Sequence, residues 1–583
     1  MDSYKDKIYK QFKIPIKYIQ HNTLNDSLIN DLELIKFNTN DNSNNLIDIS
    51  NNNTIYHKYL DPSTIVGKHS VSNMVCYYTN NIDFLNQTQY IVEDVCNVDF
   101  DKDNINDMTN LWLELDTYKN DFENKFQYIE WQRLKFLNYW PAFLHLLSIL
   151  NISSPIMQLV APIFMLILPF LMLKIIGSHI TISNYIDTLK LTIRNNPIGK
   201  LLFEWNSVSW NTKGYILFTL IMYFYNLYLN VLACRDFYNN AKYIINSLNK
   251  TKKYLKYTID NINQFRKIIN EHSEYSSFLK ELDEKYDLIK YHYNQINCIP
   301  SSTFSIYNLL HFGNVMKCFY QINNDVEFSD MIDYTLGYNA YIDHIIGIRR
   351  NLLKSNIKPI TYTNSDTFKL KNVYHPIIKR NDAIKNDIDL KNNLIITGPN
   401  AAGKTTILKC TIINLIFSQQ FGYGYFTSGK LNPYKYIHCY INIPDNCSRD
   451  SLFQSEVRRC KSFLDIIDNN PESRHFCVFD ELYSGTNPYE AISSAYSYLN
   501  HISKNNNIKF ILTTHYIKLC KLFRKHKNIK NYNMKTKTID NNAKYYYKII
   551  KGISKIKGGI AILKNLEYPE SVINNAIKIM NKL

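Results

Sequence analysis

Between Asn393 and Lys409 the chain reads NLIITGPNAAGKTTILK. No other stretch restricts its fold so strongly. Leu394 to Thr397 is a short apolar run of the kind that forms a buried strand. Gly398 to Thr405 then matches G-x-x-x-x-G-K-[ST] in full, and KTTILKCTIINLIFSQQ continues as a helix. Strand, glycine loop and helix in that order turn backbone N–H groups toward an anion at the positive end of a helix. This points to a nucleoside triphosphate. Gly398, Pro399, Asn400, Ala401, Ala402 and Gly403 would form the cradle. Lys404 would reach the β- and γ-phosphates, the Thr405 hydroxyl would ligate Mg²⁺, and Thr406 would complete the loop.

Such a loop needs a carboxylate at the end of a neighbouring strand. HFCVFDELYSGTNP supplies one: Phe476 to Phe479 is apolar and Asp480-Glu481 follows. Asp480 is placed to hold Mg²⁺ and Glu481 to polarise the attacking water. A third apolar strand, in KFILTTHY, ends at His515, a candidate γ-phosphate sensor. The expected cofactors are ATP and Mg²⁺, and the expected catalytic groups are Lys404, Glu481 and His515.

These elements, in this order, resemble the MutS family of DNA mismatch-repair and recombination ATPases, most closely over residues 370–583. YHPII, containing His375, looks like the family's His-Pro stretch ahead of the nucleotide. NDIDL, ITGPNAAGKTT, SLFQSEV, DELYSGTNPYEA and TTHY resemble its further signatures, and the tail ending in LEYPESVINNAIKIM resembles its last helix. The resemblance implies that His375 lies at the nucleotide. It also implies that Ser451 reaches the nucleotide of a partner subunit, hence a homodimer with composite sites. Ala401-Ala402 stands where the family has Met-Gly, and Leu452 where it has Thr. The N-terminal half has no Phe-x-Glu, the pair that classical members place on a mismatch, so mismatch reading is not expected.

With 583 residues the chain is too long for one core. The sequence divides into a motif-poor region 1–105, a helical core or lever-like region 106–358, and an α/β P-loop, ABC-like ATPase domain 359–583. The expected class is multidomain: mostly α-helical in the N-terminal and middle regions, with a two-helix membrane hairpin, then the α/β domain. The hairpin is read from two uncharged runs. PIMQLVAPIFMLILPFLMLKIIG, Pro155 to Gly177, is free of charge from Ile156 to Leu173, and GYILFTLIMYFYNLYLNVLAC spans Gly214 to Cys234. Each approaches the roughly 20 apolar residues that a bilayer requires. The polar loop Ser178 to Lys213 separates them. Pro162, Pro169, Asn226 and Asn230 fit the alternative, two helices buried in a soluble core. Membrane insertion would leave the ATPase domain in the cytosol.

Lys and Arg number 67 against 51 Asp and Glu, a net charge of +16. That favours an anionic partner, duplex DNA or a membrane face, or else simply a solvated lysine-rich surface. Lys518, Lys521, Arg524, Lys525, Lys527 and Lys530 concentrate this charge after His515. The 11 cysteines form no Cys-x-x-Cys pair and suit a reducing compartment. The N-terminus carries no apolar signal-peptide core. Three function classes follow: a membrane-anchored MutS-like ATPase, a soluble DNA-clamping repair factor, and an ABC-type transport ATPase. The last lacks a Leu-Ser-Gly-Gly-Gln signature.

Overall fold

The computed structural model describes residues 2–35, 54–177, 181–194, 210–299, 311–441, 451–539, 542–554, 563 and 568–580. The Asn-rich stretch 36–53, residues 178–180 and 195–209 of the loop 178–213, and 555–562 and 564–567 of the tail lie outside the described residues. The chain forms two compact units. One comprises Met1–Asn106, Asp260–Tyr286 and Asp333–Leu583; the other comprises Asp107–Ile259 and Asp287–Ile332.

The first unit is built on a six-stranded sheet. Its order is Asn542–Lys551, Ile529–Ile539, Asn393–Thr397, Ile508–Thr514, His475–Asp480, Tyr436–Tyr440. All neighbours run parallel except the first pair, which is an antiparallel hairpin. The central strands are buried along their whole length, because helices cover both faces of a parallel sheet, and this is why they read as unbroken apolar runs. Register brings three strand ends to one edge: Thr397 pairs with Thr514, and Asp480 with Thr513. A five-stranded sheet adjoins, ordered Asn386–Asp389, Phe368–Val373, Ser428–Leu431, Lys358–Tyr362, Tyr423–Gly424.

The N-terminal segment is helical and packed, although its sequence carries no recognisable motif. Its Ile55–Leu60 helix lies on the Lys404–Ser418 helix. The Tyr59 ring stacks on Phe417 with centroids 3.7 Å apart, and the Tyr56 hydroxyl donates to Gln420 Oε1 at 2.5 Å. Buried Asp343, on the Val326–Leu353 helix, accepts from the backbone N–H and hydroxyl of both Ser63 and Thr64.

The second unit is helical. Its Pro141–Ile176 helix has Pro141 in the first turn, where a missing N–H costs nothing, so this helix begins well before the apolar run at Pro155. The second run lies inside a 60-residue helix, Trp210–Ile269, because no Gly or Pro interrupts the chain after Gly214. Two helical segments are long and apolar enough to cross a membrane: Pro141–Ala161, which overlaps the first run only at its start, and Lys213–Ile269, which contains the second. Only 17% and 6% of their most apolar stretches is buried. Phe164, Leu168 and Ile175 on the first, and Phe218, Ile221 and Phe224 on the second, are exposed. Asn230 Nδ2 donates to Gln158 Oε1 across the two helices at 2.7 Å. Ile182–Ile193 forms a further helix, whose Tyr185 hydroxyl donates to the Leu166 carbonyl at 2.8 Å.

Candidate nucleotide site

The strand ends that share one sheet edge carry the polar groups picked out from the sequence. The chain leaves the Asn393–Thr397 strand into the glycine loop and enters the Lys404–Ser418 helix at Gly403, whose φ of 88° is left-handed. A side chain there would also meet the Tyr547 ring, 3.1 Å away, so conformation and space both require glycine. Ala401 is left-handed too, at φ 64°, and its small side chain keeps the strain low.

Lys404 is buried at the base of the loop. Its Nζ donates to the carbonyl oxygens of Gly398 at 3.0 Å and Pro399 at 3.4 Å and to Asn400 Oδ1 at 3.3 Å, and lies 3.4 Å from Glu481 Oε1. The Thr405 hydroxyl donates to Asp480 Oδ2 at 2.7 Å, and the Thr513 hydroxyl donates to Asp480 Oδ1. Asp480 is therefore fixed by one hydroxyl from the loop helix and one from the neighbouring strand. His515 Nδ1 stands 3.7 Å from Glu481 Oε2. The nearby His515 and Lys404 outweigh desolvation and hold the Glu481 carboxyl down at about 2. Glu481 is thus a carboxylate throughout the neutral range.

Lys404, Thr405, Asp480 and Glu481 open onto a cleft of about 810 Å³, which His515 meets only through Glu481. Asn400, Ala401, Gly403, Lys404, Thr405 and Thr406 line one side, with Asp480 and Glu481 beside them. His375 lines the cleft as well, and burial pushes its imidazole down to about 4, so it is neutral at pH 7. Gly398, Pro399 and Ala402 shape the loop without walling the cleft. Ser451 does not line this chain's own cleft, although Leu452 beside it does. Ser451 is exposed and caps the Leu452–Asn469 helix, exchanging hydrogen bonds with Gln454.

Several further residues line the cleft; Ile378, Asn386 and Glu456 lie in the YHPII, NDIDL and SLFQSEV stretches, whereas Ile384, Met534 and Tyr547 carried no signal in the sequence. Ile378, Ile384, Met534 and Tyr547 give it an apolar, partly aromatic end. Asn386 ties that end together: its Nδ2 donates to the Tyr547 carbonyl at 3.0 Å, and its Oδ1 accepts from Ile549 N at 2.9 Å. Met534 and Tyr547 come from the antiparallel hairpin, well over a hundred residues beyond the loop, and only sheet order places them here. Glu456 also lines the cleft and is buried.

Comparison with known proteins agrees with this architecture. The family model described as MutS domain V matches residues 394–583. That part of the chain belongs to the MutS family. The DNA mismatch repair protein MutS of Phocaeicola vulgatus is 30% identical over 271 residues, covering 44% of this chain and 30% of the relative. The MutS of Ehrlichia ruminantium is 31% identical over 280 residues, 46% of this chain and 34% of the relative. That of Persephonella marina is 28% identical over 271 residues, 45% and 31%. The chain thus spans about a third of the length of these curated relatives, and the shared part is the C-terminal MutS domain V with its approach.

The residues present fit ATP and Mg²⁺. A cleft of this size suits a nucleotide. A helix N-terminus and a buried lysine face the phosphate position. The Thr405 hydroxyl and Asp480 carboxylate form an all-oxygen pair of the kind that Mg²⁺ selects.

Proposed function

We propose that this chain is a MutS-type ATPase that hydrolyses ATP at composite sites in a homodimer and is anchored in a membrane. One observation carries the ATPase reading: Lys404, Thr405, Asp480 and Glu481 converge on one cleft at the C-terminal edge of a parallel sheet.

Lys404 holds the β- and γ-phosphates, exchanging its bonds to loop carbonyls for stronger charge-assisted ones. Thr405 and Asp480 hold Mg²⁺, which when bound neutralises charge developing on the transferred phosphoryl group. Glu481 is ionised and orients the attacking water. His515, in contact with Glu481, responds to the γ-phosphate position. The apolar end formed by Ile384, Met534 and Tyr547 receives the base. Ser451 is exposed outside its own cleft, which supports the role that the family resemblance gives it toward a second copy. The decisive experiment is ATP turnover by the full chain against Glu481→Gln. The variant should bind ATP normally and lose roughly two to four orders of magnitude in turnover. Equal turnover in the two would remove Glu481 from this role.

The membrane reading rests on exposed apolar helix surface. Two helices present Phe, Leu, Ile and Met outward over lengths near a bilayer's thickness. This favours the anchored reading over the soluble one with buried runs. Duplex DNA is the proposed second partner, since the relatives are named for DNA mismatch repair. Residues 516–539 also carry eight Lys and Arg and no Asp or Glu. Binding by such a surface should weaken steeply as salt rises. Salt-independent or absent duplex binding would remove DNA from the reading and leave the anchored ATPase.

A further inference from the structure

The turn that follows Asp480-Glu481 is held in an unusual way. Glu481 and Tyr483 both have left-handed backbones, at φ 53° and 60°, a conformation that costs a non-glycine residue energy and persists only when its surroundings enforce it. The Thr513 carbonyl accepts from the Glu481 N–H at 3.1 Å, the Tyr440 hydroxyl accepts from the Tyr483 N–H at 3.3 Å, and Glu456 holds the two residues that follow. The Glu456 side chain is 2% exposed. Oε1 accepts from the Ser484 backbone N–H at 3.0 Å and the Ser484 hydroxyl at 3.1 Å, and Oε2 accepts from the Gly485 N–H at 3.1 Å. Both carboxylate oxygens are thus committed to the turn.

A second, independent observation ties the same turn to the same helix. Gly485 lies against the first turn of the Leu452–Asn469 helix. A Cβ on Gly485 would stand 2.7 Å from Leu452 Cγ and 2.8 Å from Phe453 N. The Phe453 and Tyr483 rings meet edge to face at 5.8 Å. The helix begins at Ser451, whose cap with Gln454 makes its first turn rigid.

We propose that Glu456 is a positioning residue. It clamps the 481–485 turn onto the first turn of the helix that Ser451 opens, so the placement of that helix end sets the placement of the Glu481 carboxylate. Ser451 and Glu481 are then two ends of one rigid lever. The inference rests on the assignment of Glu481 made above.

The test uses the full chain in detergent, with ATP turnover, ATP affinity and melting temperature measured together. Glu456→Gln preserves volume but turns a donor toward the Gly485 N–H. It should lower kcat roughly 10- to 100-fold, as expected for a catalytic group displaced by about an ångström, and leave ATP affinity within about 2-fold. Gly485→Ala pushes on Leu452 without removing any hydrogen-bonding group, and should show the same split between kcat and KM. Ser484→Ala removes one of the three bonds to Glu456 and keeps both backbone bonds, so it should lower kcat about 3- to 10-fold at unchanged ATP affinity; an unchanged kcat in this milder variant counts against the clamp even if the stronger variants do not fold. Unchanged kcat in folded Glu456→Gln or Gly485→Ala, or affinity falling in step with kcat, overturns the proposal. So does a Ser484→Ala variant as impaired as Glu481→Gln. If the parent chain itself does not turn over ATP, the ATPase reading fails instead, and the two failures are distinct.

Discussion

At the residue scale, the site is a set of charges that restrain one another. Lys404 and His515 both face Glu481, and together they keep its carboxyl near 2. Removing His515 takes away the largest cause of that depression. In His515→Ala the pH at which turnover falls on the acid side should therefore move up toward the ordinary glutamate range, which a pH–rate profile between 4 and 8 reports. An unshifted acid limb would mean that His515 does not set the Glu481 carboxyl. His375 has the opposite character. Burial lowers it from 6.5 to about 4, so between these values the unfolded chain binds a proton that the folded chain refuses. Its contribution to stability is complete above pH 6.5 and is lost as pH falls toward 4. Burial drives His438 to about 3, which adds a loss of the same sign. His375→Gln should give a shallower decline in urea midpoint from pH 7 to 4.5 than the parent. An equal slope would place the titration elsewhere.

At the scale of elements, the Lys404–Ser418 helix has its N-terminus at the phosphate position and its C-terminal half under the N-terminal segment. Tyr59 is fully buried, stacks on Phe417, and donates its hydroxyl to the Tyr423 carbonyl at 3.2 Å. Tyr59→Ala should cost about 3–5 kcal/mol, the range for truncating a buried aromatic, whereas Tyr59→Phe should cost only about 1 kcal/mol for the lost hydrogen bond. Denaturant unfolding of both variants separates stacking from hydrogen bonding, and equal losses would contradict the stacking account. This interface was illegible in the sequence because Tyr56 and Tyr59 meet partners some 360 positions away, and nothing local marks them. The strands at Asn393, His475 and Ile508 were legible because burial on both faces leaves only apolar residues to use. The loop, Asp480, Glu481 and His515 were legible because each sits at the end of such a strand. Tyr547 and Met534 were not, since they enter the cleft through strand order. Helix ends were read poorly too: Pro141 opens its helix 14 positions ahead of the apolar run, and the second run continues without a breaker into charged sequence.

At the scale of the whole molecule, the unresolved balance is between an apolar surface that water penalises and a membrane that would accept it. Ile156 to Ile176 spans roughly 31 Å of helix at about 1.5 Å per residue, close to the roughly 30 Å of a hydrocarbon core. Exposed Trp210 and Tyr215 open the second helix, as amphipathic aromatics do at a bilayer interface. The amides of Asn230 and Gln158 answer each other instead of facing hydrocarbon, the arrangement by which polar groups are tolerated between membrane helices. A soluble protein with this much outward Phe, Leu and Ile would aggregate or bury it in a partner. The full chain should therefore float with membranes on a density gradient and resist carbonate extraction. Leu168→Arg, at an exposed position inside the first run, should weaken insertion by about 2.5–3.5 kcal/mol and raise the carbonate-extractable fraction, while Lys521→Ala, on the ATPase unit, should not. Release of the parent chain by carbonate would refute the anchor. The two helices would then have to be covered by protein, and the same lysate should show the chain in a large soluble assembly by size-exclusion chromatography.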